Sequence, residues 1–446
     1  MTRVIKNRKK LQSRNFIFYT ALSLAVLWFV FCLWLSRFWI DELSVYLPLP
    51  LALLCVFGIA LLPGFTNFFL LMTLWLETWD ISLPEENLPS ISILVACYNE
   101  ENTIEDTIRT VLNSYYPKHI ELLVINDGSN DNTSLILAKL KEEFEDHPHT
   151  LRIFHHKTNL GKASALNTGL DYASYEYLVT IDADTLLHSK ALTAIMSRFR
   201  NEEKDKKVGA VAGSIMVKNS NQSWITRLQT WDYIVGIAAV KRQQGTYEST
   251  LVAQGAFSAY RREAIMELGG WQSVVGEDIV LSWGMLRKRY CVFYESTALA
   301  FTHVPVTFNA FFRQRKRWAR GMFEAFRAYP DIFSHCTVST KLLIAMNLFF
   351  PIIDFSLLFF FIPGLILACF GIYLIAGIMT LLVLPLTLGM TLTTFVYQRK
   401  VYQSLQEEPP RIRWSYAVYL LTYAFIQAPI SLVGYLEELL SLKKRW

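Results

Sequence analysis

Apolar residues in this chain are gathered into blocks long enough to decide its architecture. Phe16–Ser36 is almost uncharged, a second run covers Leu49–Trp75, a third Leu342–Tyr397 and a fourth Tyr416–Leu436. A membrane-crossing helix needs about 20 apolar residues, so the third block holds two crossings and the chain presents five candidate spans. With 52% of residues apolar and 18% charged, an ordinary soluble protein is excluded. Residues 76–340 have soluble composition and the length of one globular domain. The expected organisation is a cytoplasmic N-terminus with two transmembrane helices over 1–75 and an inserted domain over 76–340. A C-terminal membrane region of about three helices follows over 341–446.

Basic residues orient the chain. Arg3, Lys6, Arg8, Lys9, Lys10 and Arg14 precede the first span, whereas the short loop after it carries Asp41 and Glu42. Cationic flanks stay in the cytoplasm, so two spans return the inserted domain there, and the loop with Arg399, Lys400, Arg411 and Arg413 agrees. A multi-pass protein of the cell's inner (plasma) membrane is expected. A fifth crossing would leave the tail SLKKRW outside, against the same rule; either the last segment lies on the membrane or the count is off by one. The first segment is too long for a cleaved signal peptide and no small-residue cleavage site follows it. The six cysteines lack metal-type spacing, and a cytoplasmic domain argues against disulfides. The net charge of +5 sits mostly on the membrane flanks, so nucleic acid is not an expected partner.

Within the domain, strands and helices alternate. LPSISILVACYNE, ELLVIND, LRIFHH and YEYLVTIDAD read as buried strands, and NTIEDTIRTVLNSYY, TSLILAKLKEEF and KASALNTGLDYA as the helices between them, the first opened by Asn102 and Glu105 spaced as a capping box. That alternation predicts an α/β, Rossmann-like, mostly parallel sheet. Ligands of such sheets sit beyond the carboxyl ends of the strands. Tyr98-Asn99-Glu100, Asn126-Asp127-Gly128-Ser129 and Asp182-Ala183-Asp184 all fall there.

Each of these has a bland reading. Asp-Gly-Ser is ordinary turn chemistry, with Asn132 or Thr133 able to cap the following helix, and Asp is common after strands. Taken together they suit other work. Asp182 and Asp184, one residue apart, supply the oxygen ligands that Mg2+ or Mn2+ prefers, and such ions bridge phosphates. Lys162, after Gly161 at a helix start, suits a diphosphate, although its glycine spacing is not that of a phosphate-binding P-loop. Glu277 and Asp278 head an apolar helix, where acids offset the helix dipole or one of them serves as general base. FFRQRKRWARG reads as a basic patch on anionic lipid, which leaves Gln314 and Trp318 unexplained; an indole face can stack a sugar. His303 is a lone histidine at a strand end, a position more often structural than metal-ligating, and Cys97 and Cys291 read as small core residues.

In order and spacing, Tyr98-Asn99-Glu100, Asp127-Gly128-Ser129, Asp182-Ala183-Asp184, Glu277-Asp278 and Gln314-Arg315-Lys316-Arg317-Trp318 resemble the signatures of processive family 2 glycosyltransferases. LVACYNEE, VINDGSNDNT, NLGKASALN and ASYEYLVTIDADT are most similar to those of bacterial poly-β-1,6-N-acetyl-D-glucosamine synthases, more than to cellulose, chitin or hyaluronan synthases. The second half departs: Gly276 stands where that pattern has Thr, VAGSIMVKN lacks a Gly-Asn-Pro-Arg-like run, and AQGAF replaces Ser-Gly-Val.

The resemblance implies a GT-A catalytic domain inserted between transmembrane helices, a UDP-sugar donor and Mg2+ or Mn2+. It places Ala96, Tyr98 and Glu100 around uridine with Asp127 on the base, and Lys162 and Asp182 along the diphosphate. Asp184 would hold the metal with Asp182. Asp278 would be the base, supported by Glu277. Gln314, Arg317 and Trp318 would lie over the diphosphate and acceptor, with Gln254, Gly255 and Ala256 at the acceptor entry. Its partners would be the donor, a growing polysaccharide exported through the bilayer and a small membrane accessory subunit. The competing readings are a non-processive transferase acting on a lipid, a synthase of another polymer, and a transporter or scaffold that binds nucleotide without turnover.

Overall fold

A computed structural model describes residues 2–77, 88–201, 207–377, 383–408 and 414–442. Arg411, Arg413 and the Lys443–Arg445 stretch, used above for orientation, lie outside the described residues, as do the side chains of Arg3, Lys6, Arg8, Lys9 and Lys10. Eight strands form one sheet in the order β3-β2-β1-β4-β7-β6-β8-β5. They are β1 (Ile91–Cys97), β2 (Ile120–Asn126), β3 (Thr150–His155), β4 (Tyr177–Ile181), β5 (Thr185–Leu187), β6 (Val208–Val217), β7 (Phe257–Arg261) and β8 (Cys291–Thr302).

The parallel half matches the sequence pattern. Ile91 pairs with Ile120 and Tyr177, and Glu121 with Thr150, so β1 to β4 end at one edge. Every residue of β2 is buried, and each Ile or Leu removed from water there contributes about 1.5–3 kcal/mol. β7 runs antiparallel to β4 and β6, with Ile181 opposite Phe257, which brings the Gln254–Ala256 segment against the end of β4. The capping box is not formed: the helix Ile104–Leu112 starts one residue later, with Thr103 at its N-cap. The Thr103 hydroxyl donates to Glu100 instead, at 2.7 Å. Neither Asn132 nor Thr133 caps the next helix through its side chain; Asp131 accepts the Thr133 N–H at 3.0 Å.

Four helices among the described residues are long and apolar enough to cross a membrane: Arg14–Ser44, Leu49–Leu76, Val338–Cys369 and Trp414–Leu439. The remaining candidate corresponds to the helix Val383–Ser404, whose apolar lead-in at 378–382 lies outside the described residues. The domain is docked on the second of these. Glu77 pairs with Arg242 at 2.8 Å, and Thr73 shares a 2.7 Å hydrogen bond with the Tyr247 hydroxyl.

The helix Phe308–Ala328 lies between the domain and Trp414–Leu439. On one side its Gly321 packs against Gly276, so closely that a Cβ built on Gly321 would fall 2.9 Å from the Gly276 Cα. On the other, Lys316 reaches Glu437 at 2.7 Å and Arg320 reaches Glu438 at 3.1 Å. The far end of Trp414–Leu439 is held too, where the Trp231 Nε1 donates to the Ser415 Oγ at 3.1 Å.

Candidate active site

The ends of β1, β2 and β4 converge as the spacing predicts. Asn99, with φ of 57°, accepts the Asn130 N–H at 2.8 Å, and the Ser129 hydroxyl accepts the Asn99 N–H at 2.9 Å, so the loops after β1 and β2 are zipped together. Gly128 is required in this turn. Its φ is +73°, and a Cβ would fall 2.7 Å from the Thr158 backbone. Tyr98 is exposed beside partly buried Ala96 and Glu100.

Asp127 has a duty that spacing did not suggest. Its carboxylate is buried and accepts from His156 Nδ1 at 2.7 Å, from the Leu160 N–H at 3.0 Å and from the Gly161 N–H at 2.7 Å. It thereby folds the loop that delivers Lys162 to the head of the helix Lys162–Tyr172. The Lys162 ammonium donates to Asp182 at 2.5 Å and lies 3.6 Å from Glu277. Gly255 leaves it room: a Cβ at that position would meet Lys162 Nζ at 2.7 Å. The Asp182 N–H donates to the Ala256 carbonyl at 3.2 Å.

Asp184 accepts from Thr302 at 3.2 Å. Burial, then the neighbouring Asp182 and Glu100 carboxylates, push its pKa up to about 7. Three acids confined together are short of positive charge, which suits a divalent cation. Among the described residues no group of three or more His, Cys, Asp or Glu side chains forms a protein-only metal cage. Mg2+ or Mn2+ bound through one or two carboxylates and substrate phosphates needs none.

Glu277 opens the helix Glu277–Arg287. Burial pushes its pKa up to about 7, with Lys162 opposing and Asp278 adding to the rise. Asp278 Oδ1 accepts the Ile279 N–H at 2.8 Å, and the Asp278 carbonyl accepts from Ser282 at 2.7 Å. The Ser282 hydroxyl also accepts the Ala253 N–H at 2.8 Å, tying this helix to the Gln254–Ala256 segment. Gln254 faces inward, donating to the Gly213 carbonyl at 2.7 Å, while its Oε1 is buried with no partner. The acid pair is itself braced by Phe308–Ala328, where Glu324 accepts the Gly276 N–H at 2.8 Å.

On that same helix Trp318 is 44% exposed, Arg317 is exposed, and the Gln314 Oε1 is buried without a partner. The link from Trp318 to the aspartates is a residue the sequence did not single out. Tyr233 lies 6.4 Å from the Trp318 ring and feels the charges of Asp184 and Asp182. It belongs to a π-helical segment, Asp232–Ile237, a form that recurs at functional sites. Arg315, Asp232 and Lys241 were also missed as individual contributors. Lys241 donates to the Val252 carbonyl at 3.0 Å, and burial lowers its pKa to about 7 against the field of Asp278. Lys241 and Arg242, set directly after the apolar run IVGIAAV, were the available signal.

Residues 92–269 match the profile of Glycosyl transferase family 2. Poly-β-1,6-N-acetyl-D-glucosamine synthase of Staphylococcus aureus (strain MSSA476) is 36% identical over 263 residues, covering 59% of this chain and 60% of that protein. The protein of the same description from Staphylococcus epidermidis is 35% identical over 257 residues, covering 57% and 59%. The match thus spans about 60% of the length of these relatives. Among solved structures, the mannosyltransferase PcManGT from Pyrobaculum calidifontis, in complex with GDP-Man and Mn2+, superposes with a TM-score of 0.57 at 17% identity, over 86% of this chain and 96% of that one. That likeness shows the GT-A fold.

Proposed function

We propose that this chain, which carries a family 2 glycosyltransferase domain over residues 92–269, is a membrane-embedded, inverting synthase that polymerises N-acetylglucosamine in β linkage from a UDP-sugar donor and exports the product. One observation carries the reading most directly: Lys162 bridges Asp182 of the β4 end and Glu277 of the acid pair. A phosphate-binding cation, a metal-binding pair and a base are thereby gathered at one strand edge. The relatives' description as N-acetylglucosamine polymer synthases supports the sugar.

In this reading Tyr98, Ala96 and Glu100 border the nucleoside, and Asp127 orders the loop beneath it. Asp184 with Asp182 would hold Mg2+ or Mn2+, whose chemistry is to neutralise charge on the diphosphate. The neighbour's Mn2+ supports this choice. Lys162 and Arg317 add positive charge where the leaving group departs, so no general acid is needed. Asp278 takes the proton of the acceptor hydroxyl as it attacks the anomeric carbon from the opposite face. Glu277, held against Lys162, supports that helix N-terminus. Trp318 stacks the acceptor sugar.

The test uses washed membranes, a panel of UDP-sugars and Mg2+ or Mn2+, with UDP release and product size as readouts. Long product from UDP-N-acetylglucosamine, abolished by Asp278→Asn, is expected. Short lipid-linked product that is indifferent to Trp318→Ala would replace this reading with transfer to a lipid.

A further inference from the structure

Arg315 is the second residue of the Gln314–Trp318 motif, yet its side chain points away from solvent and is 2% exposed. Its Nη2 lies 2.9 Å from Asp232 Oδ2. Its guanidinium carbon sits 3.9 Å from the Trp318 ring centroid, with Phe311 at 5.3 Å and Tyr233 at 5.8 Å. A planar cation held this way covers one indole face and leaves the other to a ligand. Gly236, one turn after Asp232, keeps the space clear: a Cβ there would fall 2.7 Å from Asp232 Oδ1. A buried arginine at this position could have neutralised a phosphate. Asp232 already neutralises it as an ion pair, although neither Nε nor Nη2 of Arg315 makes a hydrogen bond among the described residues.

Resting on the synthase reading, we propose that Asp232 and Arg315 are positioning residues that fix the plane of Trp318 and so set how firmly the growing chain is gripped. Asp232 orients Arg315, Arg315 orients the indole, and the free indole face receives the acceptor sugar. Neither residue touches the donor. The pair therefore governs acceptor retention, and with it product length, rather than cleavage of the donor. A displacement of the platform by a fraction of an ångström is felt directly in acceptor binding.

The experiment compares wild type, Asp232→Asn, Gly236→Ala and the double variant Asp232→Asn with Arg315→Gln, all as full-length protein in membranes. Gly236→Ala leaves both charges in place and only crowds the carboxylate. The double variant strands no buried charge, so it separates misfolding from mispositioning. All three variants are expected to raise the apparent KM for a primer oligosaccharide about tenfold and to shorten the product, with the donor KM within about twofold of wild type. Asp232→Glu, which keeps the charge, is expected to restore much of the length. Wild-type product length from Asp232→Asn and Gly236→Ala overturns the proposal. So does full recovery in the double variant, because the pair would then serve only to neutralise itself. A wild-type protein that makes no polymer overturns the synthase reading first, and the two failures are distinguishable.

Discussion

The Lys162 ammonium donates to the Asp182 carboxylate over 2.5 Å, closing the edge of the strands where a diphosphate would lie. A donor entering that site exchanges one anionic partner of the lysine for another. Lys162→Met is expected to raise the donor KM by roughly ten- to a hundredfold, the scale of a lost charge-assisted contact. Asp182, no longer paired, would repel the incoming phosphates further. UDP release measured against donor concentration checks this; an unchanged KM would place the diphosphate elsewhere.

Glu277 and Asp278 are adjacent but differently occupied. Glu277 lies 3.6 Å from Lys162, whereas one oxygen of Asp278 accepts the Ile279 N–H at 2.8 Å. Asp278→Asn is expected to lower turnover by about 100- to 10,000-fold at nearly unchanged donor KM. Glu277→Gln is expected to keep measurable turnover. Reversal of that order in a kinetic comparison would transfer the base to Glu277.

Acidity gives a separate handle on Glu277. Burial raises its folded-state pKa from 4.5 to about 7. The folded protein therefore binds more protons than the unfolded chain between those values, and stability falls as pH rises through that window. Thermal unfolding in detergent should show a transition temperature that declines from pH 5 to pH 8, and declines less steeply in Glu277→Gln, where Asp184 keeps its own share of the slope. A parallel slope in both proteins would assign the pH dependence to other groups.

Gly321 is expected to tolerate no side chain. A Cβ there would meet the Gly276 backbone at 2.9 Å, and backbone cannot rotate away as a side chain can. Gly321→Ala should cost about 1–3 kcal/mol, the usual penalty of overpacking. Because Gly276 leads into the acid pair, turnover should fall by more than the loss of folded protein explains. Specific activity per unit of correctly folded enzyme is the measurement.

The strands that end just before Asp127 and Asp182 were legible because burial on both faces writes a largely apolar run, and the acid that follows it stands out. The Ile104–Leu112 helix start was misplaced by one residue for a local reason: Thr103 and Glu100 bond each other, a choice that helix-capping rules do not rank. Asp232 and Tyr233 were invisible because DYIVGI reads as plain apolar helix. Their task arises only when β6 and the Phe308–Ala328 helix bring Trp318 across the sheet edge. Asp127 follows the end of β2 as the strand pattern implies, but its three loop hydrogen bonds depend on the course of residues 156–161, which carry no periodicity.

The brace between Phe308–Ala328 and Trp414–Leu439 has a consequence for depth. A helix of 26 residues is about 39 Å long, enough to pass through a bilayer. Yet Ser415 near its start is bonded to Trp231, and Glu437 and Glu438 near its end to Lys316 and Arg320, all on helices packed against the strand-bearing domain. Between those ends Phe425 stacks on Phe361 at 6.0 Å and Tyr435 donates to Asp354 at 3.1 Å, so the helix also packs along the Val338–Cys369 span. Driving its charged neighbour inward would cost about 2.5–3.5 kcal/mol for each Arg or Lys at the bilayer centre. Trp414–Leu439 should therefore act as a clasp that fixes the depth of the domain against the Val338–Cys369 span, its charged end staying on the domain's side. A cysteine placed at Leu442 should react with an impermeant reagent only when the cytoplasmic face is opened.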